Sequence, residues 1–372
     1  MKKMFLGLLA VTVATLSPAL SEAKGKGEIK NVIYLIGDGM GLSQVSMAMI
    51  EGGFVPTAFD RAQNVALIST YSANNRVTDS AAAGTALATG HKTNNGMLGM
   101  TPDGANCESI MARAKEEGYA TGLVVTVYLQ HATPGAFYAH VASRGELDAI
   151  SRQFVDSDVD VAFGGGKKFL EADNGKGGTL IDDLRTRDYT VVYGMDELQG
   201  IDDGKVVGLF ADEYMPTVLN GRDENYLCEA TKKALEILSN NAAASKSKKG
   251  FVLMVEGSQI DSECHANNSA GALAETRDFD RAIGAAMDFA DTHPGTLVVV
   301  TADHETGGLS ITSNKTDFML SESGIGYQFG TTGHSGTLVP VYLYGTGAEG
   351  INGVMDNTDL PKKIAELMNL KK

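Results

Sequence analysis

Five apolar runs rich in Val, Ile and Leu punctuate the chain, at residues 31–36, 122–126, 251–255, 296–300 and 339–344. Each is too continuous for a strand with one wet face. Between them, residues 107–118, 134–143, 225–239 and 269–291 carry helix-like patterns. Buried strands alternating with helices predict an α/β fold, a doubly wound and mostly parallel central sheet with helices on both faces. Residues 24–372 read as one domain, because no Pro- or Ser-rich linker divides them and a large sheet can reach this length. Residues 164–224 are rich in Gly and Asp with weaker strand signals, which suggests an elaborated excursion at the sheet edge.

The start of the chain is patterned differently. Met1, Lys2 and Lys3 precede an apolar run over 4–16, and Ser21, Glu22 and Ala23 place small residues at a cleavage position. This predicts a signal peptide over 1–23 and a periplasmic or secreted mature protein. The run is shorter than the ~18 apolar residues that a spanning helix needs, so no membrane anchor is expected.

Charge narrows the partners. The 372-residue chain has 31 Lys and Arg against 46 Asp and Glu, a net charge of −15, and loss of residues 1–23 makes it one unit more negative. An acidic surface repels nucleic acid, and an anionic substrate needs concentrated local cations, metal ions or a placed arginine. Cys107, Cys228 and Cys264 permit at most one internal disulfide and match no zinc-ribbon spacing.

Three apolar strands end in carboxylates: Asp38 after 31–36, Glu256 after 251–255 and Asp303 after 296–300. Open parallel sheets bind ligands beyond the carboxyl ends of their strands, so these residues can meet despite their separation in sequence. Singly, each could cap the following helix; together they would repel one another without cations. Asp261 and His265 are four residues apart, on one helical face, and His304 and His334 add imidazoles. Such donor sets, with open positions, suit catalytic zinc. His91, His140 and His293 read as structural. Ser80, beside Asp79 at the start of an alanine-rich helix, is a candidate nucleophile at an anion-binding helix N-terminus, with simple N-capping as the alternative.

In combination these residues resemble the alkaline phosphatase family of bacterial periplasmic and animal enzymes. The segment TDSAAAGTA resembles the family's phosphoserine motif with Ser80 as nucleophile, and in QHATPGAFYAHVASR Arg144 matches the phosphate-clamping arginine. The resemblance implies a first zinc site of Asp261, His265 and His334, and a second of Asp38, Asp303 and His304 that also meets Ser80. It implies a magnesium site of Asp38, Thr133 and Glu256, and a homodimer acting on small phosphate monoesters at alkaline pH. Thr133 could instead cap a helix ahead of Pro134, and Arg144 could be a helix C-terminal charge.

Two positions depart from the best-known bacterial members. His131 and Ser262 stand where those have aspartate and lysine, and His131 resembles the animal enzymes. An imidazole beside the third site could favour zinc or another transition ion over magnesium. Twenty-nine residues separate His304 from His334, so no large crown insertion and a more open site are expected. The competing readings are a phosphodiesterase of the same superfamily, a sulfatase, whose motif context Ser80 lacks, and a noncatalytic exported metal-binding protein, which would not need Ser80 and Arg144 together.

Overall fold

The computed structural model describes residues 28–313 and 324–371. The proposed signal peptide, residues 1–23, lies outside the described residues. Fourteen strands are present among them: β1 (Asn31–Gly37), β2 (Asn64–Ser69), β3 (Ala120–Tyr128), β4 (Val161–Gly165), β5 (Tyr189–Val192), β6 (Lys205–Leu209), β7 (Phe251–Gly257), β8 (Thr296–Thr301), β9 (Glu305–Thr306), β10 (Leu309–Ser313), β11 (Ile325–Phe329), β12 (His334–Ser335), β13 (Val339–Gly345) and β14 (Gly353–Asp356). Ten of them form one sheet in the order β14-β2-β13-β8-β1-β7-β3-β4-β6-β5.

All five apolar runs are strands of this sheet. Every residue of β7 and β8 is buried, whichever face it points to, so both faces must be covered. Helices Tyr226–Ala244 and Ser269–Thr292 pack on each other, the former also on β3 and β7 and the latter on β8. The Ile110–Glu116 helix also packs on β3 and β7 and touches the Ser80–Thr89 helix, forming a second group.

Three expectations are refined. The sheet is not wholly parallel: β13 runs antiparallel to both β8 and β2. The chain leaves β8 at the carboxyl rim, and β12, which precedes β13, pairs there with β9, so β13 starts from that rim and runs back. Residues 164–224 do lie at the sheet edge, but they supply β5 and β6 as regular parallel strands. Residues 134–143 do not form a helix. One turn, Ala132–Gly135, is followed by a return in which Leu98 and Val141 bridge antiparallel and Arg144 N donates to Gly96 O at 2.7 Å. Those backbone bonds to the 96–99 loop satisfy groups that a longer helix would otherwise pair.

Between His304 and His334 the described residues form only the two-stranded ribbons β9–β12 and β10–β11, consistent with no large crown. Cys107, Cys228 and Cys264 are buried and unpaired. Among the described residues, no helix is long and apolar enough to cross a membrane.

Candidate active site

Strand ends deliver the candidate residues to one rim. Asp38 follows β1, Glu256 lies within the last turn of pleat in β7, and Asp303 and His304 follow β8; all four are 0 % exposed. Burial and mutual repulsion push the acids upward: Asp38 well above the usual range, Glu256 to about 8 and Asp303 to about 7. Both oxygens of Asp38, Oδ2 of Asp303 and Oε1 of Glu256 are buried without hydrogen-bond partners. Buried acceptors in such numbers are costly unless a cation completes them. The cluster therefore fits divalent ions on its own chemistry. Gly39, with φ +75°, lets the chain after Asp38 pass close to this rim, because a Cβ there would sit 2.8 Å from Asp261 Cα.

Ser80 meets the second set. It is the first residue of the Ser80–Thr89 helix, 2 % exposed, and its Oγ lies 3.2 Å from His304 Nε2. The same imidazole nitrogen is 3.2 Å from Asp303 Oδ2 and 3.4 Å from Asp38 Oδ1. Asp38, Asp303 and His304 thus form one ligand-like group around the hydroxyl. The capping alternative belongs to Asp79, whose Oδ1 accepts from Ala82 N at 3.0 Å, and so leaves Ser80 free.

Asp261, His265 and His334 assemble beside it. Their helix, Gln259–His265, starts where β7 ends, and β12 brings in His334. Nδ1 of His265 is 2.6 Å from Thr332 O, and Nδ1 of His334 is 2.7 Å from Thr78 O. Each Nδ1 must therefore carry the proton, so both Nε2 atoms present lone pairs, and these face each other at 3.2 Å. A cation or a proton between them is required. Asp261 Oδ2 lies 3.2 Å from His265 Nε2, which raises His265 to about 9. Burial opposes ionisation of Asp261, but the three imidazoles around it prevail and hold its carboxyl below the usual range. Asp261, His304 and His334 form a further ligand-like group, which joins the two sets.

The third group contains His131, which was expected beside the third site. It clusters with Asp38 and Glu256. Burial and the nearby Arg144 guanidinium lower its pKa to about 3, so it presents a neutral imidazole. Thr133 is fully buried with an unpartnered hydroxyl, and it is not a cap, since His131 holds that position. Ser262 is half-buried on the helix between Asp261 and His265.

Arg144 belongs to no helix end; the next helix, Leu147–Asp156, begins after it. Its Nη1 lies 3.4 Å from Asp79 Oδ2 and its Nη2 3.2 Å from His131 Nε2. Asp79 thus orients the guanidinium besides capping the Ser80 helix, a double role hidden by its ordinary cap position in sequence. Thr306 was also missed: its hydroxyl donates to Asp261 Oδ1 and lies 3.1 Å from His304 Nδ1. No sequence pattern singles out a threonine two residues past a histidine.

The three histidines read as structural stay outside these groups. His91 and His140 bind backbone carbonyls, of Thr89 at 3.1 Å and Gly99 at 2.7 Å, and His293 stacks on Phe289 with centroids 3.8 Å apart.

Comparisons with known proteins show the family to which the chain belongs. The profile of the alkaline phosphatase family matches residues 29–323. Alkaline phosphatase 4 of Bacillus subtilis is 34% identical, over 100% of this chain and 98% of its own length. The solved alkaline phosphatase of the Antarctic bacterium TAB5 is 37% identical with a TM-score of 0.85, over 93% of this chain and 100% of that one. A variant of that enzyme with one histidine changed to aspartate and magnesium bound in its M3 site is equally similar, with 37% identity, a TM-score of 0.85 and coverage of 93% and 99%. With the profile spanning most of the chain, and with relatives that match it end to end, the chain belongs to the alkaline phosphatase family, and it is an enzyme of the phosphoric monoester hydrolases.

Proposed function

We propose that this enzyme hydrolyses small phosphate monoesters without strong specificity, through a phosphoserine on Ser80. The observation that carries the reading is the Ser80 hydroxyl, 3.2 Å from His304 Nε2 within the Asp38, Asp303 and His304 group. Asp261, His265 and His334 would hold one zinc ion and Asp38, Asp303 and His304 a second. Glu256, Thr133, Asp38 and His131 would hold a third ion, magnesium or a transition metal. When bound, the ions neutralise the buried carboxylates and stabilise charge on the attacking and leaving oxygens of an in-line displacement.

The chain's own residues perform the rest. Ser80 sits where the unpaired N–H groups of a helix start favour a bound anion. Arg144 offers a planar fork for two phosphoryl oxygens, and Asp79 fixes its orientation. Ser80 Oγ bonds to phosphorus as the ester P–O bond breaks; the leaving oxygen keeps the electron pair, and the proton that the serine hydroxyl gives up to solvent is balanced by one that this oxygen takes up to depart as the alcohol. Water then attacks the phosphoserine from the vacated side, releasing inorganic phosphate and restoring the hydroxyl. Phosphate monoesters need rate accelerations up to ~10²¹-fold, about 28 kcal/mol of barrier. A charged hydrogen bond contributes only about 1.5–3 kcal/mol, so concentrated positive charge must do most of the work. The leader-like residues 1–23 support export to the periplasm or medium, and the family supports a homodimer.

Ser80→Ala tests the covalent route. We expect p-nitrophenyl phosphate turnover to fall more than about 10³-fold while zinc content matches the parent. Turnover within tenfold of the parent would falsify the nucleophile assignment.

A further inference from the structure

Glu305 is a carboxylate only 4 % exposed that belongs to none of the three ligand-like groups. Its oxygens accept four hydrogen bonds. Oε1 takes Gln44 Nε2 at 3.1 Å and Leu309 N at 3.0 Å; Oε2 takes Gly308 N at 3.2 Å and the Ser335 hydroxyl. Gln44, also fully buried, donates to Thr306 O at 3.0 Å, accepts from Gly41 N at 3.0 Å and lies 3.6 Å from Cys264 Sγ. Three of these groups lie near a candidate ligand in sequence: Ser335 follows His334, Cys264 precedes His265, and Thr306 lies two residues past His304. Space for this arrangement is made at Gly41, where a Cβ would sit 2.4 Å from Glu305 Cγ.

The segment carrying His334 has three further ties: His334 Nδ1 lies 2.7 Å from Thr78 O, Gly307 N donates to Gly333 O at 2.9 Å, and the His334 ring stacks on His304 with centroids 3.6 Å apart. Strands β9 and β12 are two residues each, paired only at His334 with Thr306 and Ser335 with Glu305. A ribbon of that length is unstable by itself. A carboxylate accepting four donors is a strong tie, because charge-assisted hydrogen bonds are about twice as strong as neutral ones. We infer that Glu305, braced by Gln44, is a positioning residue that holds His334 against the 304–309 turn and thereby sets the metal affinity of the Asp261, His265 and His334 site. This rests on the reading of that site as a zinc site.

The test is zinc titration into the metal-stripped full-length protein in competition with a chelator, with unfolding followed on the same samples. Glu305→Gln keeps the shape but turns one acceptor into a donor that faces other donors. The expected result is a 10- to 100-fold loosening of one tight zinc equivalent, the usual size of such outer effects, with the other within about threefold of the parent. His334→Ala identifies the affected equivalent by abolishing it. Ser335→Ala, which keeps the carboxylate and the fold, loosens the same equivalent by a few-fold, and it decides the matter should Glu305→Gln not fold. Parent-like affinities in folded Glu305→Gln, equal loosening of both equivalents, or no effect of Ser335→Ala would overturn the inference and leave the zinc reading standing. A parent that binds no tight zinc at all would overturn the zinc reading itself.

Discussion

Stripping the metals should make this protein lose stability as pH rises from 7 to 9, where most proteins change little. Glu256 and Asp303 have native pKa values raised to about 8 and about 7 by burial, and Asp38 is raised further. A raised carboxyl stabilises the fold below its unfolded value and loses that contribution as pH climbs through the native one. At pH 7, a group at about 8 keeps most of a proton in the native state and almost none when unfolded; at pH 9 neither state holds it. Integrating ~1.36 kcal/mol per pH unit per proton gives about 1.4 kcal/mol lost from Glu256 alone, with the values belonging to the cluster rather than to one acid. His265, raised to about 9 by Asp261, acts in the same direction, although its partial exposure weakens it. His131 and His304 are lowered and act oppositely, but their contribution is complete once unfolded imidazole is neutral, near pH 7. Asp261 is lowered and contributes fully throughout this window. Urea unfolding of chelator-stripped protein at pH 7, 8 and 9 and fixed ionic strength measures the slope, with zinc-reloaded protein as the control. A stripped protein whose stability is flat or rising over this range would refute the electrostatic account of the rim; the reloaded protein should be nearly flat.

His131→Asp should raise magnesium affinity at the third site roughly tenfold, because a carboxylate replaces a neutral imidazole beside Asp38 and Glu256. Magnesium titration into metal-stripped protein checks this, and equal affinity in variant and parent would count against the site's assignment. Ser262→Lys should lower the phosphate inhibition constant by about tenfold, since it adds a charge-assisted contact between Asp261 and His265. An unchanged constant would show that position 262 does not face the bound anion.

Much of the site was legible because its residues are marked by chemistry that strands otherwise avoid. Asp38, Glu256 and Asp303 each close an apolar run, and the parallel-sheet rule alone sends them to one rim. His265 was legible from its helical spacing to Asp261. The Pro134 segment was misread as a long helix because its residue pattern allows one, whereas the backbone bonds from Val141 and Arg144 to the 96–99 loop belong to a contact distant in sequence. The reversed direction of β13 was likewise hidden, since an apolar strand reads the same whichever way it runs.

The amino-acid sequence by itself determined the α/β alternation, the buried strands and the identities of the metal-type donors, because hydrophobic period and side-chain chemistry are local properties. Only the tertiary structure decided that His131 joins Asp38 and Glu256, that Asp79 orients Arg144, and that Glu305 ties the His334 ribbon to the rim. Those relations depend on distances between segments as many as 125 residues apart along the chain, as for His131 and Glu256, and a pairing of that kind leaves no periodic trace in either segment.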